Sequence, residues 1–164
     1  MLTQHAADHT TPTHPEPFTL AFHARWPDMD FNAHLRNAAY LGEAEDCRMR
    51  YFDQQGFPMA GFLRRGIGPV VSRDELDYRG EMRLLESGTV TLTLAGLSED
   101  GSRFRLRNTF TRDHDGRRAA IVTSTGGWLD LAARRLVAPP PELLDVLRAL
   151  VRDDDFEVLP SSVR

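Results

Sequence analysis

A chain of 164 residues, 41% apolar by composition, lies in the single-domain range and can bury about two thirds of its unfolded surface around one core. Its net charge of −4 argues against nucleic acid as a principal partner, because binding a phosphate backbone requires an excess of positive charge. All 20 basic residues are Arg, which removes Schiff-base chemistry and a Walker-type phosphate lysine but leaves bidentate Arg contacts to a substrate phosphate open.

Residues 1–16 form a polar, aperiodic tail of His, Thr, Ala and Pro that includes His5, His9 and His14, and they read as a disordered leader. They have neither the basic nor the apolar region of a signal peptide, and no stretch of the chain approaches membrane-spanning length. The lone Cys47 can form no intrachain disulfide and no thiolate cluster, which fits a reducing cytoplasm. No membrane partner, nucleic acid, metal or cofactor is called for.

From Phe18, the residues Phe18, Leu20, Phe22, Ala24 and Trp26 alternate with Thr19, Ala21, His23 and Arg25, the pattern of a half-buried strand. Residues 38–54 predict a helix, rich in Ala, Leu, Glu, Arg and Met and stopped by Gly56 and Pro58. Tyr40, Leu41, Ala44, Cys47 and Tyr51 mark its buried face, so Cys47 reads as a small core residue. The segment 57–69 reads as a loop whose Phe57, Met59, Phe62, Leu63 and Ile67 either line an acyl tunnel or pack beneath a sheet. Strands are expected at 70–82, 88–98, 103–112 and 118–131, with turns at 99–102 and 113–116. A Pro139-Pro140-Pro141 spacer then leads into an amphipathic helix over 139–152. One strand, a long helix and four antiparallel strands make an α+β meander, a five-stranded sheet with one long helix on its face. The domain spans 17–138, with a C-terminal helix and tail over 139–164.

Chemistry concentrates between the first strand and the long helix, where Asp28, Asp30, Asn32, His34 and Asn37 fall within ten positions. In an extended segment Asp30, Asn32 and His34 point one way while Phe31 and Ala33 point the other. The helix that follows aims its free amides at the same place. Each of these residues is also an ordinary turn or cap former, and Asp28 reads as a cap or loop brace. A metal site built on Asp28, Asp30 and His34 lacks a further His or Cys nearby.

Arg25-Trp26-Pro27-Asp28-Met29-Asp30, Asn32-Ala33-His34-Leu35-Arg36-Asn37 and Tyr40-Leu41 resemble the signature of hotdog-fold acyl thioesterases of the 4-hydroxybenzoyl-CoA thioesterase superfamily. The Asp-x-Asn-x-His run is similar to the active-site loop of plant acyl-ACP thioesterases. Leu76-Asp77-Tyr78-Arg79-Gly80-Glu81 resembles the strand on which those enzymes carry a catalytic Glu. The sequence departs from the family at Ala33, where many members have Gly, and at Arg36, where they have Asn. The resemblance implies a hotdog fold, a sheet wrapped around the central helix, in a homodimer or homotetramer whose protomers pair edge to edge. It also implies hydrolysis of an acyl-CoA, with acyl-ACP hydrolysis or a non-catalytic acyl-thioester-binding module as alternatives.

Thioester hydrolysis needs a carboxylate, oxyanion donors and a dry pocket. Asp30 is the first choice for the carboxylate, with Asn32 and His34 positioning it, the water or the thioester. The Asn37 amide, by resemblance and by helix dipole, is the oxyanion donor. Glu81 completes the set if a bulge at Gly80 turns it inward, and is otherwise a surface carboxylate. Arg36, Tyr40 and Phe62 are the substrate-binding candidates. Arg103, Arg105 and Arg107 alternate with Phe104 and Leu106, a stripe that either meets CoA phosphates or an acidic carrier protein or is simply solvated.

Overall fold

Alternating apolar residues over 87–112 fold into a central antiparallel hairpin, β3 (Ser87–Ser98) and β4 (Arg103–Arg112), with Val90, Leu92, Leu94, Phe104, Leu106 and Phe110 buried on one face. The computed structural model describes residues 15–163; the expectation for the tail, with His5, His9 and His14, lies outside the described residues except at Pro15 and Glu16. β1 (Phe18–His23) pairs with β3, β5 (Arg118–Asp130) with β4, and β2 (Ile67–Tyr78) with β5, giving the antiparallel order β1-β3-β4-β5-β2. This is the expected five-stranded hotdog sheet, but its later strands are not a simple meander: β2 pairs with β5 and leaves one edge of β3 to β1. Two further strands extend the sheet to seven: β6 (Arg135–Val137) on β5, and β7 (Arg152–Leu159) parallel to β3.

The long helix α1 (Asn37–Gln54) lies on the sheet with Ala39, Tyr40, Ala44, Cys47, Tyr51 and Phe52 buried. Gly56, at φ 85°, takes the left-handed turn that ends it, a conformation a side chain disfavours. Cys47 is fully buried, and burial pushes its thiol up to about 12, consistent with a packing role. Phe52, Phe62 and Trp128 close one end of the core, with Phe62 stacked on Trp128 at 6.0 Å between ring centres.

Four boundaries differ from the sequence expectation. The first strand stops at His23, and Trp26 stands exposed in a short turn over 26–28, where Pro27 supplies no amide to a ladder. The 57–69 segment holds a helix, α2 (Met59–Arg64), that buries Phe62 while Met59 and Leu63 stay exposed. β2 starts at Ile67 and ends at Tyr78, not Arg79 or beyond. The terminal helix α3 (Pro141–Arg148) is followed by strand β7 rather than a tail. An Arg-Asp-Asp-Asp run has poor strand propensity by itself. The free edge of β3 supplies its hydrogen-bond partners, and the Arg stripe supplies its counter-charges. Arg107 holds Asp155 through two contacts of 2.7 and 3.0 Å and lies 3.0 Å from Asp153, while Arg105 pairs with Glu157 at 2.6 Å.

Beyond β7 the chain is fastened by Asp100 in the β3–β4 turn. Its Oδ1 accepts from the Ser98 and Ser102 hydroxyls and the Ser102 amide, and its Oδ2 accepts from the Ser161 hydroxyl at 2.6 Å. Burial would raise the Asp100 pKa, but these hydrogen bonds together hold it well below the usual carboxylate range. A carboxyl depressed in the folded state stabilises fully above its unfolded value and loses that contribution as pH falls. We therefore expect Asp100→Ala to cost about 1–3 kcal/mol at neutral pH. In urea melts the gap between the variant and the parent should shrink as the pH is lowered below about 4.

Candidate active site

The Asp30–His34 segment is a tight backbone turn organised by the Asp30 carboxylate. Asp30 Oδ1 accepts the amides of Asn32 at 2.7 Å and His34 at 3.0 Å, and the Asp30 amide donates to His34 O at 2.8 Å. Asp30 Oδ2 makes no hydrogen bond among the described residues, so one oxygen builds the loop and the other is left for chemistry. The expected zigzag of Asp30, Asn32 and His34 is thus a turn and not an extended strand. Asn32 contributes its amide to that turn while its side chain is exposed, and Phe31 at the tip is fully exposed.

Asp28 braces the turn from behind. It is buried, pairs with Arg25 at 2.6 Å, lies 3.7 Å from Arg36, and accepts the Arg36 amide on its carbonyl. Arg36 is thereby held outside the cavity, as the residue before α1. Asn37 opens the helix, so its amide has no partner one turn back and points along the positive end of the helix dipole.

The second motif is brought to the first through the backbone. The amides of Arg79 and Gly80 both donate to Ala119 O, at 2.8 and 3.0 Å, a doubling that ends the ladder of β2 as a bulge would. The chain then turns under the Asp30 loop, where Leu35 donates to Met82 O at 2.7 Å and His34 bridges to Arg83. Glu81 Oε2 consequently lies 2.9 Å from His34 Nε2, with Arg83 3.2 Å from its other oxygen. Arg112 donates to Glu81 O at 2.9 Å and pairs with Asp115, which fixes the segment from the far side.

One open cavity of about 270 Å³ is lined by Asp30, His34, Asn37 and Glu81 together with Tyr40, Tyr78, Leu35 and Gly80. Tyr40 is buried edge-on against Phe110 at 5.2 Å, and burial pushes its hydroxyl up to about 12 despite Arg112 nearby, so it is a neutral wall. Phe62 lies in the core against Trp128 and does not line this cavity. Sequence reasoning did not pick out Tyr78, Arg83 or Arg112. Tyr78 is the last residue of β2 and the only one of that strand to line the cavity; neither it nor the two arginines carry a local signal for the site, because Glu81 and the Asp30 loop meet them only through the fold.

Ala33 adopts φ 61°, the left-handed region that costs a residue with a Cβ about 1–2 kcal/mol. Ala33→Gly relieves that strain and frees the unfolded chain by about 0.4–1 kcal/mol, so the net effect is between neutral and about 1.5 kcal/mol stabilising. In a helix interior the same substitution costs about 1 kcal/mol. Chemical denaturation of Ala33→Gly checks the sign.

The thioesterase-like superfamily model matches residues 24–147 of the chain. Among solved structures, a hypothetical protein of Staphylococcus aureus in complex with CoA is 22% identical, with a TM-score of 0.75 over 81% of this chain and 82% of that one. A probable thioesterase of Escherichia coli is 24% identical, with a TM-score of 0.70 over 82% of this chain and 99% of that one. A 1,4-dihydroxy-2-naphthoyl-CoA thioesterase of Synechocystis is 12% identical, with a TM-score of 0.74 over 82% and 98%.

Proposed function

The chain belongs to the thioesterase-like superfamily, and from that membership and the site geometry we propose that it hydrolyses an acyl-CoA thioester to the free acid and CoA. The observation that carries this reading is the single cavity shared by a carboxylate with one unengaged oxygen, a free helix-terminal amide, and a His and a Glu in contact at 2.9 Å. In the proposed step a water oxygen attacks the thioester carbonyl carbon as Asp30 takes its proton. The carbonyl oxygen becomes an oxyanion held by the Asn37 amide, and the C–S bond then breaks, releasing the CoA thiolate, which takes up a proton. His34 and Glu81 orient the water and the thioester through their 2.9 Å contact.

CoA is preferred over an acidic carrier protein because a similar solved structure is in complex with CoA, while Arg105 and Arg107 of the basic stripe, already paired with Glu157, Asp155 and Asp153, favour neither carrier. The proposed setting is a cytoplasmic homodimer or homotetramer. β2 has no neighbour on its outer side among the described residues, and Val71 and Tyr78 are exposed along it. Pairing of two β2 edges covers them and satisfies the unpaired strand groups.

Thiol release from a panel of acyl-CoA and acyl-ACP thioesters tests the reading directly. Asp30→Asn removes the charge with little change in volume and is expected to lower kcat by about a hundredfold or more while the melting temperature stays near that of the parent. A folded Asp30→Asn protein with full activity contradicts the proposal. Light scattering at micromolar concentration is expected to give a dimer or larger species, and a fully active monomer would exclude the shared β2 edge.

A further inference from the structure

Asn37, Leu41, Glu45, Arg48 and Phe52 recur at the three- and four-residue spacing that lines up one face of α1. That face starts at the candidate active site and leads, about three turns on, to a second cavity of about 260 Å³. Both cavities have α1 on one wall and β2 on the other: Tyr40 faces Tyr78 at the first, and Met49 and Phe52 face Pro69 and Val71 at the second. Phe104 and Leu106 of β4 form the floor of the second. Such walls suit the methylenes of an acyl group whose carbonyl sits at Asn37.

One lining side chain does not suit methylenes. Arg48 is only 6% exposed, its Nε donates to Ala44 O at 3.0 Å, and its Nη2 has no hydrogen-bond partner among the described residues. Desolvation lowers its pKa, with Asp74 and Glu45 acting in the opposite direction at longer range. The guanidinium therefore has nearby negative charge and one backbone acceptor at Nε, but its Nη2 lacks an acceptor in contact, and a buried donor without one is costly. Glu45 also lines the cavity and disfavours a second carboxylate there.

We propose that this cavity receives the far end of the acyl group and that Arg48 selects acyl groups carrying a neutral oxygen, a hydroxyl or an oxo group, on a carbon remote from the thioester. The inference rests on the thioesterase reading above and names the substrate class of that site. Arg48 is on this account a specificity residue: it touches the acyl tail and takes no part in the bond-breaking step.

The test is calorimetric binding of non-hydrolysable thioether analogues of decanoyl-CoA, ω-hydroxydecanoyl-CoA and ω-carboxydecanoyl-CoA. The parent protein is expected to bind the hydroxylated ligand about tenfold more tightly than the plain one, the scale of one hydrogen bond to a charged donor, and more tightly than the carboxylated one. Arg48→Met keeps a long apolar stem and is expected to bind the hydroxylated and plain ligands equally. Equal binding of those two by the parent, a preference for the carboxylate, or a hydroxyl preference that survives in Arg48→Met overturns the inference. The parent comparison decides the matter alone if Arg48→Met does not fold. Because these ligands are not hydrolysed, a protein that shows the preference yet turns over no thioester would fault the hydrolase reading and leave the Arg48 assignment standing.

Discussion

The backbone hydrogen bond from Leu35 to Met82, with the His34–Arg83 bridge beside it, is the constraint on which the site depends. It joins a loop before α1 to a segment after β2, two stretches far apart in sequence. Neither stretch has a rigid surround of its own: Asp30 and Glu81 are both exposed, and their side chains face the cavity only because the backbones beneath them are pinned. Even a fully charged exposed pair contributes only about 0–1 kcal/mol, so the His34–Glu81 contact cannot by itself hold the loops together. The backbone contacts and the buried Leu35 and Met82 do that, and the His34–Glu81 contact is placed by them.

The same logic explains the division of labour around Asp30. A carboxylate that accepts two backbone amides is fixed in orientation, and fixing it through one oxygen leaves the other in a defined position relative to the Asn37 amide. The left-handed residue needed to close so short a turn is Ala33, and its strain is borne at the site, where backbone strain commonly collects.

Much of this was legible in the sequence. The existence of the five strands, the α1 face and the α1 terminus follow from period-2 and period-3.6 patterns with Gly56 as punctuation, but the strand order does not, because β2 pairs with β5 across the sheet and not with the next strand, β3. That the chemistry lies between β1 and α1 was legible from the density of Asp, Asn and His there, but the extended alternation expected of Asp30, Asn32 and His34 was not: the turn built on the Asp30 carboxylate leaves the Asn32 side chain out of the cavity. What could not be read depends on partners distant in the chain. β7 is an acidic run that becomes a strand only against the edge of β3 and the Arg105 and Arg107 side chains. Phe62 has the composition of a tunnel residue and the position of a core one, a distinction made by Trp128 across the fold. The approach of Glu81 required a bulge that only the Ala119 carbonyl defines.

A double-mutant cycle on kcat/KM between His34→Gln and Glu81→Gln tests most directly whether the two loops act as one catalytic unit. If they do, the double variant is little worse than the more damaged single variant, a coupling of about 1 kcal/mol or more. Losses that multiply, each variant costing the same whether or not the other is present, would show that His34 and Glu81 act independently and would contradict the account.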